Sequence, residues 1–171
     1  MITLSDTDAV IRILIALGVG ASIGIEREWR NKNAGFRTYA LVCEGAALFM
    51  ITSILLHNLV RDSGAIASDP SRIASTVVQG IGFIAAGVIF AAGTRVHGLT
   101  TAAGIWVTAA IGLLIGAGFF TVAIVAAGTT IATLGLARYI EHFIPVAPSA
   151  HHHNHESRDE AHQTPNEIDR T

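Results

Sequence analysis

Residues 24–41 read Gly24-Ile-Glu-Arg-Glu-Trp-Arg-Asn-Lys-Asn-Ala-Gly-Phe-Arg-Thr-Tyr-Ala-Leu41 and form a dense charged knot between two long apolar runs. Glu26, Arg27 and Glu28 follow the first run without a break, and Arg37 opens the second. With hydrocarbon-length segments on either side, such charges must stay close to a membrane surface. There they set the orientation of the chain, build a functional site, or do both.

The rest of the chain supports that reading. Apolar residues make up 51% of the sequence and charged residues 14%, and the charges are poorly mixed. Between Tyr39 and Val60 the only formal charge is Glu44, and between Ile73 and Ala137 it is Arg95. A soluble domain of this length could not cover its surface from such stretches. The net charge of −2 comes mostly from the termini and carries little information. No basic patch suited to nucleic acid is present. Cys43 is the single cysteine and lies in an apolar run, which excludes a disulfide framework and a thiolate zinc site.

Counting about 20 helical residues per crossing, with about 17 to 25 tolerated, predicts five spans at 8–25, 37–60, 73–92, 99–117 and 119–140. The fold class expected is an all-α integral membrane protein, a five-transmembrane-helix bundle over 1–144 followed by a disordered tail over 145–171. The start of the chain is acidic at Asp6 and Asp8, and its basic cluster follows the apolar run. That polarity is the reverse of a signal peptide, so the first segment is read as a retained helix. The fourth and fifth spans meet at Gly116-Ala117-Gly118, which demands an antiparallel helical hairpin.

Arg27, Arg30, Lys32 and Arg37 crowd the first loop, Arg95 lies in the third, and Arg138 marks the C-terminal flank of the last span. Basic loops face the cytoplasm, which puts the N-terminus outside and the C-terminus inside. Small residues recur every fourth position: Ala16, Gly20 and Gly24, then Gly104, Thr108, Gly112 and Gly116, and in the third segment Gly82 and Ala86, with Gly80 and Gly87 beside them. Such spacing lets helix backbones approach closely in lipid. A narrow pore lined by small residues is the functional alternative.

Gly24-Ile-Glu-Arg-Glu, Ala34-Gly-Phe-Arg-Thr and Ala40-Leu-Val together resemble the signature of the MgtC/SapB family of bacterial inner-membrane proteins. Gly80-Ile-Gly-Phe-Ile-Ala-Ala-Gly-Val-Ile and Gly98-Leu-Thr-Thr-Ala-Ala-Gly-Ile-Trp extend the likeness in the same order, over about residues 9 to 140. The resemblance implies a multi-pass protein of the bacterial inner membrane tied to magnesium homeostasis and, in several members, to virulence. Some members look like Mg²⁺ transporters, others like regulators of membrane machines such as the F-type ATP synthase. The short polar stretch after Ile144 resembles the form without a soluble C-terminal domain. The resemblance further implies that Glu26, Arg27, Gly35, Arg37 and Thr38 form a cytoplasmic-side polar network. Glu28, also at the hydrocarbon edge, joins that set, and Arg37 is expected to pair with Glu26. An ordinary helix-surface pair between Glu26 and Arg30 is the simpler reading.

Glu44 lies seven residues beyond Arg37, two turns or about 10 Å deeper on the same helix face. Burying a carboxylate there costs about 3 kcal/mol unless it protonates or finds a partner. It is therefore a candidate Mg²⁺ or proton ligand, or a paired residue that locks helices together. In the tail, His151, His152, His153 and His155 are candidate ligands for Zn²⁺ or Ni²⁺, with adventitious affinity of a polar tail as the alternative. No residue set suggests an enzyme. The partners expected are the lipid bilayer, a second copy in a homodimer or other homo-oligomer, and another membrane complex. Two functions follow: a non-enzymatic, magnesium-linked regulator, or a Mg²⁺ transporter or channel subunit using Glu44 in an oligomer.

Overall fold

The computed structural model describes residues 4–63, 69, 71–93 and 95–143. Five helices run α1 (Asp6–Trp29), α2 (Phe36–Asp62), α3 (Ser71–Ala86), α4 (Leu99–Ala117) and α5 (Phe120–Phe143), with a two-stranded ribbon, β1 (Phe90–Ala92) and β2 (Arg95–His97), between α3 and α4. The tail histidines lie outside the described residues.

Local chemistry accounts for the helix ends. Ser5 caps α1 by accepting from the Asp8 N–H at 3.2 Å, and Asp6 and Asp8 complement the positive helix start. At the other end α1 does not stop at the hydrocarbon edge. It carries Glu26, Arg27 and Glu28 in helical form to Trp29, and Asn31 then turns the chain at φ 52°. The α4–α5 corner is a Schellman turn. Gly118, at φ 90°, donates to the Ile115 carbonyl at 2.9 Å, and Phe119 donates to that of Leu114 at 2.9 Å.

The third segment departs from the expected span over 73–92. Its helix ends at Ala86, and 16 residues reach only about 24 Å against a hydrocarbon core of about 30 Å. The chain beyond runs Val88-Ile89-Phe90, residues that favour extended backbone, between Gly87 and the positive-φ Gly93 and Gly98. It folds into an antiparallel ribbon pairing Phe90 with His97, Ala91 with Val96 and Ala92 with Arg95. Its first strand lies inside the apolar run read as the third span, and its second in the basic loop that follows. Three helices, α1, α2 and α4, are long and apolar enough to cross a membrane, and α3 and α5 contain shorter apolar stretches.

The packing centre is α2, held between α1 and α4, with α3 and α5 leaning on α4. Ala16, Gly20 and Gly24 of α1 and Gly104, Thr108, Gly112 and Gly116 of α4 are all buried. A Cβ at Gly20 would sit 2.6 Å from Cys43 Cβ, and one at Gly112 would overlap the Cys43 carbonyl oxygen. The turn of α2 around Cys43 is thus clasped by a glycine on each side. By contrast a Cβ added at Gly80 or Gly82 would meet nothing within 4 Å among the described residues, so these two glycines of α3 make no such close contact. Large apolar side chains such as Leu14, Leu41, Phe49, Phe83, Ile124 and Leu136 point outward, the surface a lipid solvent requires.

Candidate functional site, a buried cationic cluster beneath a polar recess

The α1 C-terminus, the α1–α2 loop, the ribbon and the start of α4 converge at one end of the bundle. Glu26, Arg27 and Arg30 lie on the last turn and a half of α1. Glu26 ion-pairs with Arg30 one turn on, and its Oε2 lies 3.8 Å from Nη1 of Arg27. Arg27 is only 2% exposed. Its Nε finds no hydrogen-bond acceptor, and neither Glu26 oxygen takes a well-aligned hydrogen bond. One carboxylate therefore faces two guanidinium groups, and the tighter contact goes to Arg30.

Arg37 takes no part. It is exposed on the first turn of α2, and Glu26 is engaged within its own helix, so the expected Arg37–Glu26 pair does not form. The simpler pair with Arg30 prevails because residues four apart on a helix already face each other. Thr38 beside Arg37 is half-buried.

Glu28 has a separate task. Its Oε2 accepts the Phe36 N–H at 2.9 Å, which caps α2 from across the loop. The N-cap residue Gly35 has no side chain to do this. A Cβ at Gly35 would lie 2.8 Å from that same carboxylate oxygen, so Gly35 leaves room for the cap.

Tyr39, fully buried, ties the cluster to α4. Its hydroxyl donates to the Thr101 carbonyl at 3.3 Å and has Arg27 beside it. Gly104 makes space for the ring, since a Cβ there would meet the phenolic oxygen at 2.5 Å. Tyr39 was not among the residues expected from sequence. Its signal was an aromatic hydroxyl within the charged knot, facing a glycine 65 positions away.

Above this layer opens a recess of about 420 Å³. Arg27, Asn31, Lys32 and Asn33 form one wall, and His97, Gly98, Thr100 and Thr101 belong to another. His97 is stacked on Phe90 across the ribbon, with ring centroids 5.4 Å apart. Among the described residues no carboxylate lines the recess.

Glu44 stands elsewhere. It is half-buried on α2, one residue past the clasped Cys43 and away from the recess. Among the described residues no three of His, Cys, Asp and Glu converge as a metal centre.

Sequence reading also missed Arg12, inside the first apolar helix. Its Nη1 donates to the Gly116 carbonyl at 2.7 Å, and its guanidinium lies 6.0 Å from the Phe120 ring centroid. It thereby satisfies one of the open carbonyls that end α4. A lone charge within the apolar run 9–25 was the available signal.

The chain is 46% identical over 125 residues to the putative magnesium transporter YhiD of Escherichia coli K12, covering 73% of this chain and 58% of that protein. It is 44% identical over 117 residues to protein MgtC of Salmonella typhimurium 14028s, covering 68% of this chain and 47% of the relative. An uncharacterized protein, slr0014, of Synechocystis matches at 44% over 117 residues, again 68% of this chain and 47% of the relative. The chain thus spans about half the length of the curated relatives it matches. No solved structure matches. The model of the MgtC family matches residues 13–143, which takes in most of α1, all of α2 to α5 and the polar cluster, and the chain belongs to that family.

Proposed function

We propose that this chain is a magnesium-linked protein of the bacterial inner membrane that regulates other membrane machinery without catalysing a reaction. It does so as a packed helical bundle in a homo-oligomer or docked to another membrane complex such as the F-type ATP synthase. The magnesium link is supported by the family and by the printed name of the relative YhiD. Regulation over transport is supported by one observation above the others. The polar recess is lined by Arg27 and Lys32 and, among the described residues, by no carboxylate, a setting that repels a divalent cation. The glycine contacts of α1 and α4 with α2 bring backbones together and leave little room for a hydrated ion between those helices. The proposed orientation places the N-terminus outside and the recess on the cytoplasmic side, where the basic loop residues belong.

Transport remains the second reading, favoured by the name of that relative and by the half-buried carboxylate of Glu44. Mg²⁺ flux into liposomes holding the purified full chain separates the two, with Glu44→Gln measured beside the wild type. Regulation predicts no flux above that of empty liposomes for either protein. Flux that the wild type supports and Glu44→Gln abolishes would establish transport through Glu44 and overturn the regulator.

A further inference from the structure

We infer that the recess above Arg27 is a binding site for a phosphate-bearing anion. Four observations converge on that ligand chemistry. The first is uncompensated charge. Glu26 is shared between Arg27 and Arg30, and Arg27 is 98% buried with Nε unpartnered. Its other close neighbour is the Tyr39 hydroxyl, which shares a hydrogen bond with it. A buried cation without a full counter-charge is costly, and an anion in the recess supplies one.

The second is the N-terminus of α4. The first intrahelical bond runs from the Ala102 N–H to the Gly98 carbonyl at 2.8 Å, so the N–H groups of Leu99, Thr100 and Thr101 precede the ladder. Those three residues line the recess. The N-cap is Gly98, and no side chain caps the helix. The position usually filled by a capping oxygen is left to the ligand. Helix starts of this kind favour anions through both their free donors and the helix dipole. A side chain at position 98 is doubly disfavoured, by a φ of 88° and by the Val88 carbonyl that a Cβ would strike.

The third is the remaining wall. Lys32 adds a second cation, while the amides of Asn31 and Asn33 and the Thr100 hydroxyl add neutral donors. The fourth is what the wall lacks. Among the described residues no carboxylate lines it: Glu28, at the end of α1, is engaged in capping α2, and Glu26, 3.8 Å from Arg27, is not part of the lining. Guanidinium, ammonium and free backbone N–H groups around a space without carboxylates suit the tetrahedral, multiply accepting phosphate group. The inference holds whether or not the protein moves Mg²⁺.

The phosphate could arrive free in solution or as the headgroup of an anionic lipid, since the proposed orientation puts the recess at the cytoplasmic membrane surface. Isothermal titration of the full chain in a neutral maltoside detergent distinguishes them, with inorganic phosphate and dihexanoyl-phosphatidylglycerol as probes. Saturable binding of both probes, in competition, identifies a site open to free phosphate. Binding of the phosphatidylglycerol alone identifies a lipid headgroup site. In either case Arg27→Gln weakens binding at least tenfold. Lys32→Gln, at an exposed position that should not disturb folding, weakens it at least threefold. Should Arg27→Gln fail to fold, Lys32→Gln carries the test. The inference is overturned if neither probe binds, or if Lys32→Gln binds as tightly as the wild type.

Discussion

The clasp around Cys43 makes a quantitative prediction for Gly112→Ala. The added methyl would overlap the Cys43 carbonyl oxygen and lie 2.9 Å from Ala46 Cβ and 3.0 Å from the Cys43 carbonyl carbon. Carbon atoms in good contact stand about 3.5–4.0 Å apart. Helices α2 and α4 would therefore have to separate by roughly 1 Å. The atoms in the way belong mostly to backbone, so no rotamer change relieves the overlap. Overpacking of this kind costs about 1–3 kcal/mol, and backbone obstacles put this site at the upper end. Replacing glycine by alanine within a helix returns up to about 1 kcal/mol. The net loss is about 2 kcal/mol, close to a 30-fold fall in the folding constant. Gly128→Ala is the matched control, because Gly128 of α5 has no neighbour within 4 Å and should show only the propensity gain. Reversible unfolding in mixed micelles, titrated with denaturing detergent, reads both variants against the wild type. A Gly112→Ala protein as stable as the wild type, or a Gly128→Ala protein equally weakened, would refute close backbone packing as the reason for glycine here.

Two further substitutions probe the polar ends of the bundle by the same unfolding measurement. Glu28→Ala should lose about 1 kcal/mol, because the Phe36 N–H at the start of α2 loses its carboxylate cap. Glu28→Gln keeps an acceptor and should lose less, and equal losses would mean that the cap is not the cause. Arg12→Met keeps an apolar stem but gives up the charged hydrogen bond to Gly116 and the contact over Phe120. It should cost roughly 1.5–3 kcal/mol, while a neutral result would show that the end of α4 finds another donor.

Much of the site was half-legible for a physical reason. The long apolar runs flanking residues 24–41, each with a single half-buried charge (Arg12, Glu44), reveal helices in lipid, because hydrophobicity and length are one-dimensional properties. Glu26 with Arg30 is equally local, a consequence of helical repeat. The cap from Glu28 to Phe36 spans eight residues and a turn whose path no periodicity describes. Tyr39 with Gly104 and Arg12 with Gly116 join positions 65 and 104 residues apart, so only packing could pair them. The first strand of the ribbon, Phe90–Ala92, was concealed by the apolar composition that it shares with a membrane helix.

By itself, then, the sequence determined that this chain is helical, belongs in a membrane, and carries its charge at one edge of its first span. Length, hydropathy and the spacing of small residues are properties of each segment alone. The tertiary structure decided which glycines matter, since Gly20 and Gly112 meet the backbone of α2 while Gly80 and Gly82 meet nothing within 4 Å. It also decided which charges are spent on capping or pairing and which one, Arg27, is buried facing a recess. Those outcomes depend on distances between segments, and such distances exist only once the helices have packed.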